Sequence, residues 1–330
     1  MRIFLACPAP PRSLRGNRVT AARWARLLRS LGHRVTVGQD WNGDRCDLLI
    51  ALHARKSYRA VRDFAAHQPK DPLVVCLTGT DLYHDLPHDF AANESLEMAD
   101  RIVALQPKAV EALPVALRNK VRIIWQSVRP LDVGTGKKRG PFTVCVLGHL
   151  RREKDPLRAG LALSHLPREI PIRVIQAGQA LSPSYARQAR TLMKREPRYR
   201  WLGELDRTRA RRLLARSQTM VISSRLEGGA NVVSEAIVQG VPVLASAVPG
   251  NVGMLGEDYA GYYAVGDTQA LAQLLRRAWQ DGAFYRGLQR WCARLAGRFR
   301  PERERNALRL LLAELTEAKT AGTRVSGALR

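Results

Sequence analysis

The feature that most constrains this chain is an alternation, run through twice, of short apolar stretches of strand length with longer stretches of helical period. Residues 2–7 form an apolar run that ends in Pro8-Ala9-Pro10-Pro11, the mark of a buried strand entering a loop. Ala21, Trp24, Ala25, Leu28 and Leu31 then recur at helical spacing up to Gly32, and 33–37 reads as a second strand. Strands over 47–52, 73–77 and 101–105 follow, with helices near 57–66 and 93–99. Strands separated by helices imply a parallel sheet covered on both faces.

Between Ser127 and Pro141 the chain turns to Gly, Pro and charge, which predicts a linker over 131–140. The alternation then resumes. Strands are expected over 142–147, 172–177, 200–202, 219–223 and 242–245, with helices near 156–165, 184–195, 207–216 and 231–239. The expected organisation is a first α/β domain over 1–130, a second over 141–300, a helix over 301–319 packing back on the first domain, and a flexible tail over 320–330. Two doubly wound, Rossmann-like domains facing a cleft is the economical fold, with ligands outside the carboxyl ends of the strands.

Composition narrows the class. An apolar content of 45% in 330 residues supplies real cores, which excludes a disulfide mini-protein, a disordered tail and a fibrous repeat. No run of about 18 apolar residues is present, and the apolar start meets Pro8 before a signal core develops, so a soluble cytoplasmic protein is expected, with no stable membrane association. Cys7, Cys46, Cys76, Cys145 and Cys292 are scattered and read as buried thiols in a reducing compartment. The net charge is +25, but only 9 of the 54 basic residues are lysine and the arginines run through the whole length. Nucleic-acid binding concentrates charge on one face; here attraction of small anions is the better reading, and no nucleic-acid partner is expected.

The stretch Ser223 to Ala236 joins a strand to a helix through Gly228 and Gly229, with seven residues between Glu227 and Glu235. Glycines admit a ligand close to the backbone, and the amides that open the helix, over Ala230, Asn231, Val232 and Val233, suit a diphosphate. Glu235, one turn in, is placed to accept hydrogen bonds from a ribose diol. The same residues also describe an ordinary acidic helix start. No Asp-X-Asp occurs, so the sequence requires no metal and no cofactor. His53, at a strand end, is a candidate to contact a sugar or act as a base, or else a structural histidine. His84 and His88 lack a third metal ligand at a suitable spacing. Asp81 either binds substrate or caps the helix after it. Arg12, Arg15 and Arg18, in or after the first loop, are candidates to hold an anion or are surface arginines.

The Glu227 to Glu235 segment resembles the Glu-X7-Glu signature of family 4 glycosyltransferases, which have the two-domain GT-B fold. The resemblance implies that Glu235 binds the nucleotide ribose and that Glu227 lies beside the donor sugar. Gly148-His149-Leu150-Arg151-Arg152-Glu153-Lys154 is similar to the family's Gly-Arg-Leu followed by Lys, whose charges neutralise the diphosphate. Lys154 fits the lysine. His149 stands where the arginine is usual, so His149, Arg151 and Arg152 are alternatives for the second positive group; without the resemblance the run reads as a solvated helix entry.

Pro8-Ala9-Pro10-Pro11, Gly16-Asn17-Arg18-Val19-Thr20-Ala21, Ala51-Leu52-His53-Ala54-Arg55, Leu77-Thr78-Gly79-Thr80-Asp81-Leu82-Tyr83 and Ala99-Asp100-Arg101, in that order, resemble one branch of that superfamily, the selenosugar synthases of selenoneine biosynthesis, over residues 1 to about 300. The branch implies transfer from a UDP-sugar such as UDP-N-acetylglucosamine, the co-substrate, to selenophosphate, releasing UDP and phosphate and leaving a 1-selenosugar. On that reading Lys154, Glu227 and His53 are catalytic, and Gly16, Asn17, Arg18, Thr78, Gly79, Thr80 and Asp81 hold the acceptor. A glycosyltransferase with a hydroxyl acceptor is the alternative, and a non-catalytic polyanion-binding protein the second. The sequence does not set the oligomeric state.

Overall fold

The computed structural model describes residues 1–327 apart from Arg12, Leu14, Arg15 and 133–139, with side chains through Lys319. The chain forms two compact units, one of Met1–Ser127 with Pro301–Arg330 and one of Val128–Arg300.

The first unit opens with β1 (Arg2–Ala6), α1 (Gly16–Ser30), β2 (Arg34–Gly38), β3 (Leu48–Leu52), α2 (Tyr58–His67), β4 (Leu73–Cys76), α3 (Phe90–Met98), β5 (Arg101–Ala104) and β6 (Val121–Ile123). Its strands make a six-stranded sheet in the order β2-β1-β3-β4-β5-β6, every pair parallel. The period of two along β1 divides the core: Ile3 and Leu5 face Trp24 and Leu28 of α1, while Phe4 and Ala6 pack with Val61 and Phe64 of α2.

The second unit holds β7 (Phe142–Leu147), α4 (Arg158–Ala162), β8 (Ile172–Ala177), α5 (Pro183–Arg195), β9 (Tyr199–Trp201), α6 (Arg207–Arg216), β10 (Thr219–Ile222), α7 (Asn231–Val238), β11 (Val243–Ser246), α8 (Pro249–Leu255), β12 (Tyr262–Tyr263), α9 (Thr268–Gln280) and α10 (Gly282–Ala296). Its parallel sheet runs β12-β11-β10-β7-β8-β9. The strand order reverses between β7 and β10, as it does between β1 and β3 in the first unit. Such a reversal opens a crevice at the carboxyl ends of the two central strands.

The chain returns to the first unit through α11 (Pro301–Gly327), whose Leu308, Leu311, Leu312 and Leu315 join the core beside β1 and α1. Glu304, 1% exposed, fixes it there. Its carboxylate accepts from Arg23 Nε at 3.0 Å, Trp24 Nε1 at 2.8 Å and the Ser127 amide at 2.8 Å, and also from the Ser127 hydroxyl.

Gly16, Asn17 and Arg18 form the first turn of α1, because nothing after Gly16 breaks the helix before Gly32. β6 escapes sequence reading because it is three residues long and only half-buried. The last helix continues to Gly327, past the tail expected from 320; adding residues to a helix already formed needs far less than starting one. Most of the linker over 131–140 lies outside the described residues, as do Arg12 and Arg15. All five cysteines are buried free thiols. Among the described residues no helix is long and apolar enough to cross a membrane.

Glu304→Gln removes the charge opposite Arg23, whose side chain is 7% exposed. An unpaired buried charge costs about 3 to 5 kcal/mol. The expected outcome is a lower urea midpoint with faster amide exchange in α1 and α11; an unchanged midpoint would show that the pair does not hold α11 in place.

Candidate functional site

In the second unit the loops after β7 and β10 leave adjacent strands at the reversal of strand order, and hydrogen bonds tie them together. Ser223 Oγ donates to the carbonyls of Asp155 at 2.8 Å and Lys154 at 3.2 Å, and the Arg225 amide donates to the Glu153 carbonyl at 2.8 Å. Gly148 and Leu150 are held from the other side, their amides donating to the carbonyls of Ala177 and Gln179 at 3.0 and 2.8 Å. Two glycines absent from the sequence reading allow this packing. A Cβ on Gly178 would stand 1.9 Å from the Gly148 carbonyl oxygen, and one on Gly250 would stand 1.9 Å from that of Glu227. The signal for Gly178 was its place just after a strand; the signal for Gly250 was Pro249 before it, opening a helix.

This framework brings Lys154 and Glu227 together. The Lys154 ammonium donates to Glu227 Oε1, which also accepts from Ser224 Oγ at 2.5 Å. The Glu227 side chain is 7% exposed and that of Lys154 25%. Burial of a carboxylate with so little access to water needs a cation beside it, and Lys154 meets that need. Ser224 is held in turn by Ser246, whose hydroxyl donates to the Ser224 carbonyl at 2.6 Å, and Asn251 Nδ2 donates to the Ser246 carbonyl at 2.9 Å. Ser224, Ser246 and Asn251 were not singled out from sequence, since nothing local marks a serine as a support.

Gly228, Gly229 and Ala230 are buried and lead into α7. Ala230 supplies no capping side chain and the first turn holds no acidic residue, so the amides of this helix end meet no carboxylate of their own turn. Val233 is fully buried, so only its backbone can serve a ligand, while Asn231 and Val232 are half-exposed. Glu235 is 9% exposed, and Arg207 at the start of α6 approaches its Oε1 to 3.5 Å. Arg207 is a further neighbour of the site, hidden in sequence by the many arginines of α6. Of the alternatives for the second cation, Arg152 is exposed, and Arg151 stands 3.7 Å from Glu153.

In the first unit the loops after β3 and β4 are joined as closely. Asp81 is fully buried and its carboxylate accepts from the amides of Thr78, Gly79, Leu82 and Ala54 at 2.7 to 3.1 Å. It anchors its own loop. Gly79, at φ +128°, supplies a conformation that other residues rarely adopt. His53 is 1% exposed, with Nε2 at 2.9 Å from Thr80 Oγ1 and Nδ1 accepting from the Lys56 amide at 3.3 Å. Both ring nitrogens are engaged under the β4 loop. Burial, foremost, holds its pKa below the ordinary value. Arg18 lies beside the buried Cys7 thiol, whose pKa burial raises. His84 bonds Asp85 at 3.0 Å. Among the described residues no group of three His, Cys, Asp or Glu side chains is placed to hold a metal ion.

The family model described as Glycosyl transferases group 1 matches residues 130–290, the segment that carries the Lys154, Glu227 and Glu235 arrangement. Among solved structures, HepE from Anabaena in complex with UDP and glucose is 17% identical with a TM-score of 0.73, covering 95% of this chain and 99% of that one. The sucrose-phosphate synthase of Thermosynechococcus elongatus is 15% identical with a TM-score of 0.77, covering 96% and 99%. An α,α-trehalose-phosphate synthase (UDP-forming) from Burkholderia vietnamiensis is 15% identical with a TM-score of 0.69, covering 93% and 78%. At such identities the likeness is one of fold, two parallel six-stranded sheets with helices on their faces. The chain has the GT-B fold, and its residues 130–290 match the group 1 glycosyltransferase family.

Proposed function

We propose that the chain transfers a sugar from a UDP-sugar, UDP-N-acetylglucosamine or one like it, to selenophosphate. The observation that carries the donor half is the convergence of Lys154, Glu227 and the start of α7 on the β7/β10 reversal, with Glu235 one turn into the helix. A structural neighbour, HepE, was solved with UDP and glucose. The amides that open α7 and the Lys154 ammonium take the diphosphate, and Glu235 accepts from the ribose diol. As the anomeric C–O bond breaks, negative charge grows on the departing UDP, and groups already aimed there stabilise the transition state more than the ground state. Glu227 lies beside the donor sugar and holds Lys154 in place.

The acceptor half is supported by the run of first-unit motifs from Pro8 to Arg101 and by Arg18, Thr78 and Thr80, which offer a cation and hydroxyls to a small tetrahedral anion beside Gly79. The selenium of selenophosphate attacks the anomeric carbon, a C–Se bond forms as the C–O bond to UDP breaks, and water then cleaves the Se–P bond to leave phosphate and the 1-selenosugar. The nucleophile arrives already anionic, so the step needs no strong base, in keeping with the enclosed position of His53. The protein is expected to work in the cytoplasm on small-molecule substrates, with Lys154 and its basic neighbours meeting the diphosphate charge without a metal.

Glu235→Ala should weaken UDP binding by about 1.5 to 3 kcal/mol, the worth of hydrogen bonds to a charged group. Calorimetry showing unchanged affinity would remove the ribose assignment. Lys154→Ala is expected to lower kcat more than it raises KM, because the charge it meets is greatest in the transition state; an effect on KM alone would make it a donor-binding group only. The function itself is tested by incubating the enzyme with UDP-N-acetylglucosamine and either selenophosphate or alcohols. UDP release that depends on selenophosphate, matched by a selenium-containing sugar in mass spectrometry and impaired in Arg18→Ala, is the expected result. Product from an alcohol acceptor alone would overturn it.

A further inference from the structure

His53 follows β3 with a φ of +77°, in the left-handed region. A non-glycine residue is strained there, and the conformation persists only where the surroundings impose it. They do so here. The His53 amide donates to the Cys76 carbonyl at 2.8 Å, the Ser57 amide donates to the His53 carbonyl at 3.1 Å, and Ser57 Oγ donates to the Leu52 carbonyl at 2.8 Å. The strained turn brings the ring beneath Thr80.

The protons follow from the geometry. Nδ1 accepts the Lys56 amide, so in the neutral ring the proton sits on Nε2, which donates to Thr80 Oγ1. A hydroxyl that receives one proton turns its own elsewhere. Thr80 is half-buried, and among the described residues its hydroxyl makes no other hydrogen bond. The outcome is a single O–H donor of set direction at the carboxyl edge of the first sheet.

We propose that Thr80 donates a hydrogen bond to an oxygen of the acceptor, a phosphate-type oxygen in the function above, and that neutral His53 is the positioning residue that aims it. This rests on the reading that the first unit holds the acceptor. The charged groups around the ring define its response to acid. Asp81 Oδ2 lies 3.9 Å from Nδ1 and Asp85 Oδ2 3.8 Å from Nε2. Arg55 and His84 both engage Asp85 at 3.0 Å, and Lys56 follows in the same turn. A proton added at Nδ1 meets the Lys56 amide donor and draws the ring toward Asp81, which takes Nε2 away from Thr80. Because burial, then Lys56 and Arg55, outweigh Asp81 and Asp85, the ring stays neutral to lower pH than a free histidine. Alignment is therefore complete near neutrality and lost as pH falls through the lowered pKa.

The test is initial-rate kinetics against selenophosphate at saturating UDP-sugar, from pH 5 to 8, for the wild type, Thr80→Val, Thr80→Ser and His53→Gln. Valine keeps the shape and deletes the hydroxyl, and should raise the selenophosphate KM about tenfold with UDP affinity unchanged; serine should restore it. Glutamine keeps a donor at the Nε2 position and cannot titrate. Its rate should lose the acid limb, which in the wild type lies below about pH 6.5. A valine variant with wild-type KM, or an acid limb that survives in His53→Gln, would overturn the proposal. A wild type that accepts only alcohols overturns the function above instead, and the same variants measured against that alcohol decide this one, since a hydroxyl oxygen accepts the same bond.

Discussion

The candidate donor site depends on the tie between the loops after β7 and β10. The tie is small: one serine hydroxyl shared between two carbonyls, and one amide bond from Arg225 to Glu153. Its position matters more than its strength. The strand order reverses there, so successive helices depart to opposite sides and leave a crevice at the carboxyl ends of the strands. Lys154 comes from one side of the crevice and Glu227 from the other, 73 residues apart in the chain. Gly178 and Gly250 let neighbouring backbone close on the two loops, where any side chain would collide with a carbonyl.

Electrostatics explains why these groups sit together. A carboxylate as enclosed as Glu227 is tolerable only with a cation in contact and its other bonds filled, which Lys154 and Ser224 provide. The first unit solves the same problem differently. Asp81 is wholly buried with four backbone amides as its donors, and Glu304 is buried against Arg23, Trp24 and Ser127. Each buried acid fixes a segment: the β10 loop, the β4 loop, and the return of α11 to β1 and α1.

Much of the second unit was legible in the chain. Its strands and helices follow alternation strongly enough that β7, β8 and α6 have the expected bounds, and the Gly-rich turn announced the start of α7. The first unit was less legible at its edges. Gly16 and Asn17, residue types that usually mark a loop, open α1. For Asp81 and His53 the sequence left a substrate contact and a structural role both open. Residue type could not reveal that Asp81 closes on its own amides and that the His53 ring turns under Thr80.

What the sequence by itself determined is the architecture and the chemistry on offer: two parallel α/β units, because apolar runs of strand length alternate with amphipathic helices, and a basic and acidic set suited to a sugar nucleotide. The tertiary structure alone decided which of those groups meet. Lys154 with Glu227, Arg207 with Glu235, Asp81 with Ala54 and Glu304 with Arg23 are pairs separated by 27 to 281 residues. No local periodicity or propensity records a contact of that range, since it exists only after parallel strands have aligned and brought their carboxyl-end loops to one edge.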